Sequence, residues 1–118
     1  MSEQKKSTDE PLKKKKHVAL TPQANAFIYE QPVKVIGEFL ELIELLEIKG
    51  SLTLPQARKM GHGLYELRVK VDRNAYRGFY CYAAEDKIWI LCGFVKKTQK
   101  TPPQEIRKAM KIRREMGL

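Results

Sequence analysis

Between residues 33 and 50 the apolar side chains return every three or four positions: Val35, Ile36, Phe39, Leu40, Leu42, Ile43 and Leu46. That is the period of one helix face, and Gly50 suits the stop because it accepts a left-handed backbone. Pro32 separates this helix from a shorter one over TPQANAFIYEQ (21–31), with Thr21 as N-cap and Pro22 at the first helical position. On the polar side of the long helix, Glu38, Glu41, Glu44 and Glu47 form an acidic stripe. It is either a hydrated face or a contact for a basic partner.

The period then changes to two. In LYELRVKV (64–71), Leu67, Val69 and Val71 point one way and Glu66, Arg68 and Lys70 the other, which predicts a strand. DRNA makes a turn, AYRGFYCYA (75–83) a second strand, and AED a second turn. KIWILCGFV (87–95) is apolar on both faces, as a strand covered on both sides would be. With that turn centred near Glu85, Cys81 faces Trp89 and not Cys92, which argues against a disulfide within the hairpin.

PQEIRKAMKIRREMG (103–117) predicts a last helix. Pro103 suits its first turn, and Glu105 lies near its positive end. Ile106, Ala109 and Met110 can pack inward, while Arg107, Lys111 and Arg114 share a face. HVAL (17–20) can form a short edge strand. LTLPQARKMGHG (52–63) reads as a loop with one helical turn. The expected fold is a small α+β domain: N-terminal helices, a twisted antiparallel sheet of three to four strands, and a C-terminal helix. It occupies residues 17–118, after a flexible charged tail over 1–16.

Composition agrees with one globular domain: 118 residues, 42% apolar and 31% charged. No stretch is long enough to span a membrane, and the start MSEQKKSTDEPLKKKK has no apolar signal region, so a cytoplasmic protein is expected. Cys81 and Cys92 with His17 and His62 make a poor zinc set, and reduced, packed thiols are expected; no metal or other cofactor is implied. Charge sharpens the picture. Residues 1–50 carry eight basic and eight acidic side chains, and residues 51–118 carry fifteen and six, so the whole excess of +9 lies in the second half. It marks either a polyanion-binding face, most simply for nucleic acid, or a surface that keeps the protein soluble.

In an up-and-down meander the end of the first strong strand, the start of the second and the end of the third share one edge. Arg68, Arg77 and the lysines Lys96, Lys97 and Lys100 of GFVKKTQKTP can therefore converge. Arginine stabilises charge on phosphorus through its fixed fork of donors, and a lysine crowded by cations loses basicity and can move protons. Tyr76 and Tyr80 can stack bases or pack in the core. Arg68 and Lys70 can instead mark a solvated sheet face, and Arg77 can pair with Glu66 or Asp72. His62, in GHG, lies in a loop. From the residues alone this is a basic α+β domain that meets RNA or DNA.

GLYELRVK, YRGFY, GFVKKTQKTP and PQEIRKAM, in this order and preceded by LLEIKGSLTLP, resemble the phage-derived, HigB-like branch of the RelE/ParE toxin superfamily. The resemblance covers about residues 45–110. It implies the toxin of a type II toxin–antitoxin pair, a metal-independent endoribonuclease that cleaves mRNA on the ribosome by 2′-hydroxyl attack. It also implies a small antitoxin partner, often with a helix-turn-helix. By motif, Arg77 and Lys97 are assigned to the transition-state phosphate, and Arg68 or Lys96 to proton transfer. Lys70, Tyr76, Tyr80, Lys100, Arg107 and Lys111 are assigned to RNA binding. No tyrosine or histidine follows KKTQK, where some relatives carry a catalytic one. Two alternatives stand beside this: a ParE-like toxin that inhibits a protein such as gyrase, and a non-catalytic nucleic-acid-binding domain.

Overall fold

The computed structural model describes residues 13–118. The chain order is β1 (His17–Leu20), α1 (Pro22–Tyr29), α2 (Val33–Lys49), β2 (Ala57–Gly61), β3 (Leu64–Val71), β4 (Asn74–Tyr82), β5 (Lys87–Lys96) and α3 (Pro103–Glu115). The strands form one sheet in the order β1-β5-β4-β3-β2. β2 to β5 pair antiparallel with their neighbours, while β1 runs parallel to β5. The α+β architecture, with two helices ahead of the antiparallel strands and one after them, is as expected. The sheet is not: it has five strands and is mixed.

The additional strand is β2, in the segment expected to be a loop. ARKMG shows no apolar alternation, because β2 lies at the sheet edge with Arg58 and Lys59 exposed and pairs on one side only. The expected flexible tail falls mostly on residues 1–12, outside the described residues. Its last part is held: Lys15 and Lys16 donate backbone N–H groups to Glu47 O, and Lys14 Nζ lies 2.7 Å from Glu47 Oε1. Glu47 also accepts from Val18 N at 2.8 Å, so one member of the acidic stripe anchors β1.

The helices end where their caps dictate. Thr21 Oγ1 accepts from Ala24 N at 3.0 Å and donates to Leu91 O at 2.5 Å, capping α1 and fixing it to β5. Gly50 closes α2 with φ 82° and returns its N–H to Leu46 O. α1 and α2 cover one sheet face, burying Ile28, Val35, Phe39 and Leu46 against Leu67, Val69, Tyr80 and Ile90. Leu40 is the exception to the apolar stripe of α2, at 42% exposure. α3 covers the opposite face, with Ala109 and Ile112 on Leu64, Phe79, Leu91 and Phe94.

Two details of β4 and β5 position everything that follows. Gly78 and Gly93 lie opposite each other and leave a depression, filled by the edge-to-face rings of Phe39 and Phe27. A bulge places two residues of β5, Leu91 and Cys92, against the step from Phe79 to Tyr80. Ile88 and Ile90 therefore face α1 and α2, whereas Cys92, Phe94 and Lys96 face the side of α3. Cys81 does pair with Trp89, and both cysteines are free and buried. Burial pushes the Cys92 thiol up to about 11 and raises that of Cys81.

Candidate nucleic-acid interface

α3 covers only the apolar half of its sheet face. The other half is lined by cations. Arg68 stands directly opposite Arg77, Arg58 opposite Glu66, and Lys96 opposite Ala75, two residues before Arg77 on the same face. Two like charges in direct opposition destabilise a sheet unless something lies between them. Here Glu66 does so, and it is fully buried. Its Oε1 lies 3.4 Å from Arg68 Nη1 and 3.5 Å from Arg77 Nε, and its Oε2 accepts from Thr101 Oγ1 at 3.0 Å. Arg77 Nη1 donates in turn to Tyr76 O at 3.2 Å. Arg77 Nε is buried with no hydrogen-bond partner among the described residues.

The electrostatics follow from this packing. Burial lowers the Arg77 pKa, and Arg68 and Arg58 act in the same direction against Glu66. Arginine keeps its charge even so. Lys96 is likewise lowered, first by burial and then by Arg77, Arg68 and Arg58, with Glu66 opposing. Four cations thus surround one sequestered carboxylate, with Arg77 buried and Arg68 and Lys96 half-buried at the surface. A second anion that spreads charge over several oxygens is the natural guest.

Arg68, Arg77 and Lys96 are brought together, as their strand positions suggested. Lys97 is not part of the cluster: it is exposed, just past the end of β5. Lys100 is exposed on the connection to α3, where Thr98 Oγ1 donates to Lys100 O at 2.7 Å. Lys70 is exposed on the same face, two residues beyond Arg68, and Arg107 and Lys111 are exposed on α3. Tyr76 and Tyr80 correct the expectation of base stacking. Tyr76 is 7% exposed and Tyr80 fully buried under α1 and α2, because both fall on the face opposite the cations. Burial also pushes the Tyr80 phenol well above its ordinary value. His62 sits in the turn before β3, with φ 55°, and its carbonyl accepts from Arg113 Nη1. That turn is at the far end of β3 from Arg68.

Two residues of the site, Arg58 and Thr101, were not singled out from sequence, and Arg58 read as loop. Glu66 was one of two acids open to Arg77, and it is the one that pairs, although its complete burial between two arginines was not foreseen. Only the direct opposition of Arg68 and Arg77 signals that an acid is needed between them, and that opposition depends on register. Among the described residues no group of three or more His, Cys, Asp or Glu could share a metal ion. No described helix is long and apolar enough to cross a membrane.

A five-stranded sheet with helices on both faces and a cationic half-face beside the last helix defines a small, basic α+β domain. Residues 26–114 match the family model described as phage derived protein Gp49-like (DUF891), and the chain belongs to that family. The matched span includes Arg58, Glu66, Arg68, Arg77, Lys96 and Thr101. No curated protein matches the chain.

Proposed function

We propose that this protein is the toxin of a type II toxin–antitoxin pair, of the HigB-like kind, and that it is a ribosome-dependent mRNA endoribonuclease. The observation that carries the reading is the set of Arg58, Arg68, Arg77 and Lys96 gathered around Glu66 on one sheet face, in a phage-derived family. The chemistry asks little else of the protein. The 2′-hydroxyl of the substrate attacks its own 3′-phosphorus, a 2′,3′-cyclic phosphate forms, and the 5′-oxygen leaves with its bonding electrons. The 2′-hydroxyl gives up one proton and the leaving oxygen takes one. No metal is part of this scheme.

Arg77, held by burial and by Glu66, and the more exposed Arg68 stabilise the negative charge that develops on the phosphoryl oxygens. Lys96, whose lowered pKa makes proton exchange easier, carries a proton between the two oxygens. Lys70, Lys97, Lys100, Arg107 and Lys111 hold RNA phosphates of the message and the ribosome. A cognate antitoxin with a helix-turn-helix covers the cationic face in the resting pair. The protein acts in the cytoplasm, where ribosomes are.

Induced expression with mapping of mRNA 5′ ends tests the reading. New ends are expected with the wild type. Arg77→Ala should lower cutting by about 10²–10³-fold, the usual loss for one charged stabiliser. Growth arrest without new ends would overturn the nuclease and favour a ParE-like inhibitor of a protein target.

A further inference from the structure

With Tyr76 and Tyr80 buried on the other face, no tyrosine beside the cationic cluster offers a base its ring. Next to that cluster, however, lies a cleft of ≈ 510 Å³ lined by Arg58, Met60, Gln99, Lys100, Thr101 and Ile106. Its size is that of a small-ligand site, which run from roughly 300 to 1,000 Å³. Two of its residues belong to the phosphate face as well. Arg58 stands opposite Glu66 across β2 and β3, and the Thr101 hydroxyl is bonded to Glu66 Oε2. A phosphate held by Arg68, Arg77 and Lys96 therefore has this cleft as its immediate neighbour.

The lining suits one nucleobase. Met60 and Ile106 pack against the core under α3, which fixes them as apolar walls. A thioether makes favourable contacts with aromatic rings, and a guanidinium plane such as that of Arg58 stacks on bases. Gln99 presents both a donor and an acceptor to the edge of a base, on a connection tightened by the bond from Thr98 Oγ1 to Lys100 O. Lys100 closes the rim with positive charge, where the adjoining backbone phosphate would lie.

We propose that this cleft binds the base of the nucleotide adjoining the scissile phosphate, with Arg58 and Met60 stacking on it and Gln99 reading its edge. The inference rests on the RNA-cleavage reading and adds the source of its sequence preference. The test uses the full-length wild type with trinucleotides made uncleavable by 2′-O-methyl riboses. Four carry different central bases and a fifth is abasic at that position. The Met60 and Ile106 methyl resonances should shift with the base-bearing oligomers and not with the abasic one. Met60→Ala should weaken the base-bearing oligomers by roughly tenfold, as loss of one stacking partner does, and leave the abasic one unchanged. Gln99→Ala should alter the ranking of the four bases. Equal affinity for abasic and base-bearing oligomers, or binding that leaves both methyl groups unmoved, overturns the cleft while mRNA cutting by the wild type upholds the nuclease. If no oligomer binds and induced expression yields no new 5′ ends, both readings fail together.

Discussion

Truncating Glu66 to alanine tests whether one buried carboxylate holds the cationic face together. Glu66 has no exposed side-chain surface, and Arg77 beside it keeps only 8% of its own. Without the acid, Arg77 remains buried with Tyr76 O as its remaining hydrogen-bond acceptor. Removing one partner of a buried pair costs roughly 3–5 kcal/mol. The 3.5 Å separation of Arg77 Nε and Glu66 Oε1 is long for a charge-assisted bond, which places the expected loss near the lower end, about 3 kcal/mol. Thr101 loses its acceptor too, adding about 1 kcal/mol. For a chain of this size each kcal/mol lowers the melting temperature by roughly 3–5 °C, so a fall of about 10–20 °C is expected. Glu66→Gln keeps the volume and an acceptor for Thr101 and should lose about half as much. Urea unfolding followed by fluorescence of Trp89, the single tryptophan, reads both variants. A cycle with Arg77→Met should show a coupling of roughly 1–3 kcal/mol. If Glu66→Ala is as stable as the wild type, or the cycle shows no coupling, Glu66 does not hold Arg77 and the account of the site is wrong.

Lys96 makes a prediction about pH. Burial and the neighbouring arginines lower its pKa from 10.5, so its neutral form appears at lower pH than that of an ordinary lysine. A limb of the cleavage profile should therefore lie below that value, and Glu66→Gln, which removes the one opposing charge, should move it lower still. Lys96→Arg should abolish the limb, and an unchanged limb in that variant would exclude Lys96 as the proton carrier. A methyl group on Gly93 would sit 2.6 Å from Phe27 Cε2 and 2.9 Å from Arg77 O, so Gly93→Ala should cost about 1–3 kcal/mol in urea unfolding. Gly37, within α2 and with nothing within 4 Å of such a methyl, should instead gain about 0.5–1 kcal/mol on the same change. Thr21→Val removes both the cap of α1 and its bond to Leu91 O and should cost about 1–3 kcal/mol, read by thermal melting.

Much of the fold was legible because its signals are local. A period near 3.6 with Pro32 and Gly50 at its ends bounds α2 without reference to anything distant. Alternation in LYELRVKV marks β3 at its observed limits, and the turn at Glu85 sets Cys81 against Trp89. β2 left no such trace, because an edge strand needs one partner and no alternating apolar set. The convergence of Arg68, Arg77 and Lys96 was also legible, although for Lys96 the strand-order argument left out a step.

That step is the bulge. Residues 88, 90, 92, 94 and 96 share a parity, and by parity alone all would point to one side of β5. Ile88 and Ile90 instead face α1 and α2, while Phe94 and Lys96 face the cations, because one extra residue at Leu91–Cys92 reverses the sense of everything after it. The sequence by itself determined which segments are helices or central strands, and where the positive charge is concentrated, since both are properties of neighbours along the chain. Tertiary structure alone decided that Glu66 is buried between two arginines, that Arg58 joins them, and that Tyr76 and Tyr80 face away. Those outcomes depend on pairing register and on which half of the sheet α3 covers, and both are set by contacts between residues far apart in sequence.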